Sequence, residues 1–428
     1  MPVMQRLQAY KYELMPNGEQ QRDMRRFSGS CRFVYNKALA LQKENHEAGK
    51  KFIGYVSMAA KLPVWKREKG TEWLKDSPSQ ALQHAIKDLE RAYKNFFEKR
   101  ADFPRFKKNG VGDSFRYPDP KQIKFDQTNN RLFLPKLGWL RYRNSRDALG
   151  ELRNVTVSQS GGKWFVAIQT QREVEHPIHP STSIIGIDVG IARFATLSDG
   201  SYIEPLNTFR KHQQRLARYQ RSMSRKTKFS SNWKKAKARI TKLHTRIGNV
   251  RHDFMHKATS TISKNHAIVC IEDLQVRNMS KSAAGSLDAP GRKVRQKSGL
   301  NKSILDQGWG EFRRQLEYKQ AWLGGGVLAV PPHNTSRTCP ACGHVSAENR
   351  QTQARFECVE CGYQNNADIV GAINVLQAGT LRAFSARSSE CLVASSERGH
   401  RLLACGETAQ SGRSVKQEPA EGITQISA

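Results

Sequence analysis

Residues 358–375 read CVECGYQNNADIVGAINV. A Cys-x-x-Cys pair makes a tight turn that aims two sulfurs at one ion. A few residues later the chain turns into a small apolar helix with one carboxylate, Asp368. Upstream, residues 339–342 read CPAC, so Cys339, Cys342, Cys358 and Cys361 form a C-x2-C-x15-C-x2-C pattern. That is the spacing of a four-cysteine zinc ribbon. Gly343 and Gly362 follow the second cysteine of each pair, where the turn needs a permissive backbone. Four thiolates close a tetrahedron and leave no position for water, so the predicted zinc is structural. A rubredoxin-like iron site fits the same ligands, but the basic surroundings offer it no electron-transfer role. Asp368 by itself decides nothing, because any acid in a first helical turn is favoured by the macrodipole.

Two further acids change its weight. Asp188 interrupts the apolar run IIGIDVGI, and Glu272 ends the apolar strand HAIVCIE. A charge at such a position is costly unless paired. Two strands that each deliver an acid after isoleucine imply convergence on a cation, with Asp368 as the third ligand. Oxygen ligands select Mg²⁺ or Mn²⁺. A pair of such ions supports phosphodiester hydrolysis. Each acid also has a plain structural reading: Asp188 capping the Gly190 turn, Glu272 paired with an arginine, Asp368 as a helix-start acid. Asp273 and Asp306 are further candidates that read as structural. His252 and His256, one helical turn apart, read as phosphate contacts rather than metal ligands. The chain lacks a G-x-x-x-x-G-K-[ST] loop and a nucleophile elbow, which leaves ATP hydrolysis and serine catalysis unsupported.

Composition narrows the partner. The chain has 428 residues, 38% hydrophobic, with a formal charge of +33. Such a charge repels itself unless an anion is bound, and nucleic acid is the leading candidate over a membrane surface. No apolar run is long enough to span a bilayer, and the first residues have no signal-like apolar core. The expectation is a cytoplasmic, nucleoid-associated protein. Cys31 and Cys270 read as core residues; Cys391 and Cys405 fall in a polar tail.

Along the chain, RLQAYKYEL reads as a strand. Residues 14–100 form a helical block, in which Ser77 or Ser79 caps the helix carrying Leu82, Ile86, Leu89, Tyr93 and Phe96. Residues 105–176 show hairpin patterning. The first strand can join that sheet, which makes the helical block an insertion. Residues 207–260 hold sixteen Lys or Arg and almost no acid. Trp233, Ile240, Leu243, Ile247, Val250 and Phe254 give that segment an apolar seam, predicting a helical hairpin with one positive face. Arg221, Arg225, Lys226, Lys228, Lys234, Lys235 and Arg239 are its candidate nucleic-acid contacts. Residues 277–302 read as a mobile basic loop, SILDQGWGEFRRQLEYKQAWL as one helix stopped by Gly324–Gly326, and GVLAVPP as a strand.

In this order the motifs resemble the TnpB (OrfB) family of insertion-sequence proteins, relatives of type V CRISPR effectors. The resemblance rests on KYELMPNGEQ, CRFVYN, LPKLGWLRYR, GIDVGIARFATLSDG, NWKKAKARITKLHTRIGNVRHDFMHK, IEDLQVRNM, LDQGWGEFRRQLEYKQ, VPPHNTSRTCPACG and ECGYQNNADIVGAINV, and covers about residues 5–378. It implies a multidomain α+β chain. A β-rich wedge (1–14 and 103–180) would carry a helical recognition lobe (15–102). A RuvC-like, RNase H-type nuclease domain (181–335 and 364–378) would carry the zinc ribbon (336–363); the polar, aperiodic residues 379–428 beyond the resemblance read as a disordered tail. It further implies an RNA-guided DNA endonuclease using an Asp–Glu–Asp triad, here Asp188, Glu272 and Asp368. Guide RNA from the mobile element, double-stranded target DNA and Mg²⁺ or Mn²⁺ would be its partners; the oligomeric state is open, with a monomer favoured. A short motif beside the target would be read by the protein and the rest by base pairing. The alternatives are a non-cutting RNA-guided repressor and a DNA transposase proper.

Overall fold

The computed structural model describes residues 3–286 and 288–396, the side chains as far as residue 383. The chain opens with β1 (Val3–Leu14), whose side chains alternate between exposed and half-buried or buried, as a strand with one covered face requires. Helix α1 (Gly18–Glu47) starts at a capping box: the Asn17 side chain accepts the Gln20 N–H at 2.8 Å, and Gln20 accepts the Asn17 N–H at 3.1 Å. Short helices α2 (Tyr55–Ala59) and α3 (Leu62–Trp65) lead to α4 (Ser79–Phe97). Neither serine caps α4, contrary to the sequence expectation. Its N-cap position is Pro78. Ser77 is buried and donates instead to Ser30 at 2.6 Å, while Ser79 accepts from Lys66 at 2.7 Å.

Six strands follow: β2 (Ser114–Tyr117), β3 (Lys124–Asp126), β4 (Arg131–Leu134), β5 (Gly138–Arg143), β6 (Glu151–Ser160) and β7 (Lys163–Glu175). With β1 they form a seven-stranded sheet in the order β2-β6-β7-β1-β5-β4-β3. The first strand therefore sits inside this sheet, antiparallel to β7 along its whole length. The helices between β1 and β2 are an insertion, as expected. They share one apolar core with the sheet: Met24, Phe27, Leu39 and Leu89 cluster with Phe115, Leu132, Val155 and Ile168. Phe27 meets Phe115 edge-on at 5.7 Å.

The second sheet has five strands: β8 (Ile184–Asp188), β9 (Ala195–Leu197), β10 (Tyr202–Ile203), β11 (Ile268–Glu272) and β12 (Gly326–Val330), in the order β10-β9-β8-β11-β12. β8, β9 and β10 form an antiparallel meander; β11 pairs parallel to both β8 and β12. This is the strand order of an RNase H-type core. Between β10 and β11 lies the predicted basic hairpin, α5 (Thr208–Ser224) and α6 (Ser231–Asn265). Its seam is Leu216 against Leu243 and Ile247, with Ile240 partly covered. Val250, expected in the seam, is 40% exposed, and Phe254 packs instead on Phe194 in the nuclease core. The α6 helix outruns its partner, so its later residues face a different neighbour.

Residues 277–302 are more ordered than the sequence implied. A short α7 (Val276–Met279) precedes α8 (Val294–Gln307), and α9 (Trp309–Leu323) follows. One predicted helix is thus two, broken at Gly308, whose φ is +74°. That left-handed backbone strains any residue with a side chain, and a Cβ there would also lie 2.4 Å from the Met255 methyl, which would have to move.

Alternation along β8 and β11 divides the sheet's two faces. Ile185, Ile187, Val269 and Ile271 enter one core with Ile262, Phe312 and Leu316 from α6 and α9. The other face carries Gly186, Asp188, Cys270 and Glu272, and α10 (Ala367–Ser396) lies on it as far as Gly379. A Cβ on Gly186 would come within 2.2 Å of the Ala372 carbonyl oxygen, and one on Gly379 within 2.3 Å of the Cys270 sulfur. Small residues on both sides let this helix lie directly on the sheet. The helix was expected to end near residue 378 but continues to Ser396; Cys391 and Cys405 lie outside the side chains described. Gly186→Val should lift α10 from the sheet and cost about 3 kcal/mol or more, since backbone rather than a movable side chain blocks it. Urea denaturation, with faster amide exchange in α10, measures this; unchanged stability would refute the close approach.

Candidate active site and metal centre

The ribbon occupies the connection between β12 and α10, with a hairpin of β13 (Arg355–Glu357) and β14 (Gln364–Asn366). Each cysteine pair makes the same knuckle. The Gly343 N–H donates to the Cys339 carbonyl at 2.9 Å and the Gly362 N–H to the Cys358 carbonyl at 3.0 Å, with both glycines at positive φ. The four sulfurs lie within 4.8 Å of one another, and Cys339–Cys361 and Cys342–Cys358 are each 3.6 Å apart. A tetrahedron with zinc–sulfur bonds of about 2.3 Å has edges of about 3.8 Å, so the set fits zinc. Phe356, Ala367 and Val370 pack against Cys339 and Cys358, so the ribbon's small core includes the first turn of α10.

The three acids meet where this turn crosses the sheet. Asp188 ends β8 and Glu272 ends β11; Ile187 and Ile271, the residues before them, are directly paired in parallel register. The carboxylates therefore stand side by side at the carboxyl ends of neighbouring strands, where open α/β sheets place their ligands. Asp368 lies in the first turn of α10. One turn on, Gly371 faces Asp188: a Cβ there would lie 3.0 Å from its carboxylate oxygen. Burial, then Glu272, then Asp368, push the Asp188 carboxyl up to about 7, while Arg350 opposes the rise. Burial likewise raises Glu272, against the Thr335 hydroxyl that donates to its Oε1 at 2.6 Å. Among the described residues only the cysteines bring three or more candidate ligand atoms all within 4.8 Å. The three acids are near enough for Glu272 and Asp368 each to raise the Asp188 carboxyl.

Several of the sequence-stated candidates fall elsewhere. Asp273 pairs with Arg313. Asp306, nearly fully buried, caps α5 by accepting the Phe209 and Arg210 N–H groups and pairs with Arg251 at 2.9 Å. Both are structural, as read. His252 and His256 stack at 6.5 Å, with His252 3.9 Å from Glu311. Cys31 and Cys270 are buried, as expected. On the basic hairpin, Arg221, Arg225, Lys228, Lys234, Lys235 and Arg239 are exposed and Lys226 half-buried. None of the seven has an acidic partner within 4.0 Å among the described residues. Lys226, Lys235 and Arg239 converge with Asn232 on a cleft of about 170 Å³ between the helices.

Three contributors were missed in the sequence. Arg350 of the ribbon reaches Asp368 at 3.6 Å; an arginine in a polar loop gives no signal. Thr335 orients Glu272. Asn374, buried in α10, donates to the carbonyls of Thr335 and Thr338 at 2.7 Å each and so ties the turn that enters the ribbon to the helix. A lone amide among the apolar residues of that helix was a readable sign, since a buried polar group needs partners. Thr335→Val should cost about 1–2 kcal/mol at pH 8, because an ionised buried carboxylate loses its donor. The cost should shrink below pH 4, where Glu272 is protonated; denaturant melts at both pH values test this, and an equal cost at both would contradict it.

A five-stranded RNase H-type sheet, acids on adjacent strand ends, and a four-cysteine ribbon inserted before the last helix define a RuvC-like nuclease fold. The family described as "Probable transposase" (OrfB of IS605) matches residues 155–283, the "Cas12f1-like, TNB domain" residues 309–375, and a "Helix-turn-helix domain" of the same OrfB group residues 4–51. The last segment is β1 and one long helix here. "Putative RNA-guided DNA endonuclease InsQ" of Escherichia coli K12 is 59% identical over 98% of this chain and 99% of its own length. A Streptomyces pristinaespiralis protein of the same description is 32% identical over 98% of each chain. The chain belongs to the TnpB (OrfB) family of these proteins. A solved "mini-RNA-guided endonuclease CRISPR-Cas_phi3" covers 87% of this chain and 92% of its own at 11% identity and a TM-score of 0.43, too loose an overlap to argue from. Among the described residues no helix is long and apolar enough to cross a membrane.

Proposed function

We propose that this chain is an RNA-guided DNA endonuclease of a mobile element, with Asp188, Glu272 and Asp368 as its catalytic acids. The observation that carries the reading is the Asp188–Glu272 pair on adjacent parallel strand ends, each carboxyl raised by burial, with Asp368 close enough to raise Asp188 further. Buried acids that repel one another either keep a proton or gather a cation, and the cation lets all of them ionise. Asp188, Glu272 and Asp368 would hold Mg²⁺ or Mn²⁺, which supplies the activated water and the stabilised leaving oxygen of phosphodiester hydrolysis when bound. The chain's own part is positional: Thr335 orients Glu272, Gly371 gives the Asp188 carboxylate its room, and the four cysteines hold structural zinc beside Asp368. The seven hairpin cations would grip phosphates, and the +33 charge suits a chain that carries a long RNA as well as DNA. Domain limits follow as 1–14 with 103–180, 15–102, 181–335 with 364–378, and 336–363. A cytoplasmic, nucleoid-associated place suits such a protein.

One experiment separates this from a non-cutting regulator and from a transposase. The protein is purified, its bound RNA is sequenced, and it is given a plasmid library randomised beside the guide match. The reaction is run with Mg²⁺, with EDTA and with Asp188→Ala. Cleavage that needs Mg²⁺ and Asp188 is the expected result. No bound RNA and no guided cleavage would sink the proposal; binding without cutting would favour the regulator, and strand joining the transposase.

A further inference from the structure

The last turns of α1 and α4 end together at a cavity of about 470 Å³ that plays no part in the site above. One side of it is aromatic, formed by Phe52, Tyr93, Phe96, Phe97 and Phe103, with ring centres 5.1 Å apart for Phe52–Tyr93, 5.3 Å for Phe96–Phe103 and 5.9 Å for Phe52–Phe97, and the α1 end supplies polar residues. Tyr93 belongs to the core, but Phe52, Phe97 and Phe103 are 44%, 61% and 40% exposed. The Lys43 ammonium sits 5.6 Å above Phe103 and 4.9 Å above Phe106, itself 47% exposed. Lys50 joins Lys43 in the lining, where Glu47 is the one acid. A cluster of exposed phenylalanines on so polar a chain marks a place where something binds.

The surroundings decide what. A second copy would press two chains of +33 together, which their repulsion opposes. A purely apolar ligand would make no use of the lysines. An unpaired nucleotide uses both: its base has two flat faces for aromatic stacking, and its phosphate pairs with lysine. Both helices present carbonyl ends here, which carry partial negative charge. The phosphate is therefore kept outside, at Lys43 and Lys50, and the base enters.

We propose that this cavity stacks unpaired bases of the guide RNA. The inference rests on the RNA-guided reading. Of the two nucleic acids in that reading, the guide is the one bound throughout, and a lasting occupant is what an exposed aromatic cluster requires. Stacking on aromatic side chains is also how unpaired RNA is ordinarily held.

The test uses the full chain freed of co-purified RNA, with labelled oligouridine, oligothymidine and a duplex RNA hairpin as probes. Phe97→Ala with Phe103→Ala should weaken oligouridine binding between about tenfold and a hundredfold, leaving duplex binding unchanged. The slope of affinity against salt should stay as it was, because no phosphate contact is removed. Phe97→Trp should keep the affinity, and Lys43→Ala should flatten the slope. The Phe97 and Phe103 rings also pack on Tyr93, so the double variant should melt somewhat lower, and binding is compared at a temperature where both proteins are folded. Unchanged oligouridine affinity in the double variant overturns the inference while RNA-guided function stands. So does a loss confined to oligothymidine, or a wild-type dimer on sedimentation that the double variant abolishes. A wild-type chain that carries no RNA and binds no oligouridine removes the functional reading and this inference with it.

Discussion

Asp188→Ala is expected to cut guided cleavage by at least about 10³-fold, as removing a group that acts only in the transition state does, while RNA-directed DNA binding stays within severalfold of wild type. A second substitution separates chemistry from fold. The Asp188 carboxyl moves from an ordinary 3.8 to about 7 on folding. Between those values the folded chain holds a proton that the unfolded chain has released, so stability falls as pH rises through that window. Above about 7 the full cost is present; below about 4 there is none. Metal-free Asp188→Asn should therefore be more stable than wild type at pH 8, by on the order of 2 kcal/mol for a half-buried group, and equal to it near pH 4. Mg²⁺ should raise the melting temperature of the wild type and leave Asp188→Asn unmoved. Retained cleavage in Asp188→Ala, or an asparagine variant that is no more stable at pH 8, would remove Asp188 from the centre.

The second large effect is loss of zinc. Structural zinc contributes about 10–16 kcal/mol of binding free energy in small finger peptides. Cys339→Ser should lose close to one equivalent of zinc by elemental analysis and melt about 10 °C lower or more. The fall should reach past the ribbon, because Ala367 and Val370 belong both to the ribbon's core and to the helix that carries Asp368. Activity per folded molecule should fall less than the folded fraction does. A Cys339→Ser protein that is folded, as stable as wild type and catalytically dead would show that the zinc is not merely structural.

Much of the site was legible because its residues break local rules. An aspartate inside IIGIDVGI and a glutamate after IVCI are anomalies that a strand tolerates only for a reason, and both lie on adjacent strand ends. The cysteine spacing was legible for the same cause: few other sites demand it. Asp368 taken alone was not, since an acid in a first helical turn breaks no rule; the two strand acids and the order of motifs singled it out, and the packing of α10 on Gly186 and Cys270 brings it to the others. The limits of inference appear where tertiary partners outrank local preference. Ser77 looks like a cap but serves Ser30. SILDQGWGEF reads as one helix by its apolar pattern, and the break falls at Gly308, whose positive φ a helix interior does not hold. Arg350 and Thr335 sit in loops where no periodicity marks them.

The position of β1 inside its sheet has a consequence for biosynthesis. Leu14 pairs with Trp164 and Val3 with Glu175. β1 leaves the ribosome long before β7, and apart from Glu13 and Leu14, which can pair with β5, it must wait unpaired while the helical insertion is completed. Closing so long a loop carries an entropic cost and makes the pairing slow. An interrupted nascent chain lacking β7 would display β1 as an open edge, ready to pair with a neighbouring chain. Yield of this protein should thus respond to translation rate and to chaperone supply more than its native stability alone would indicate.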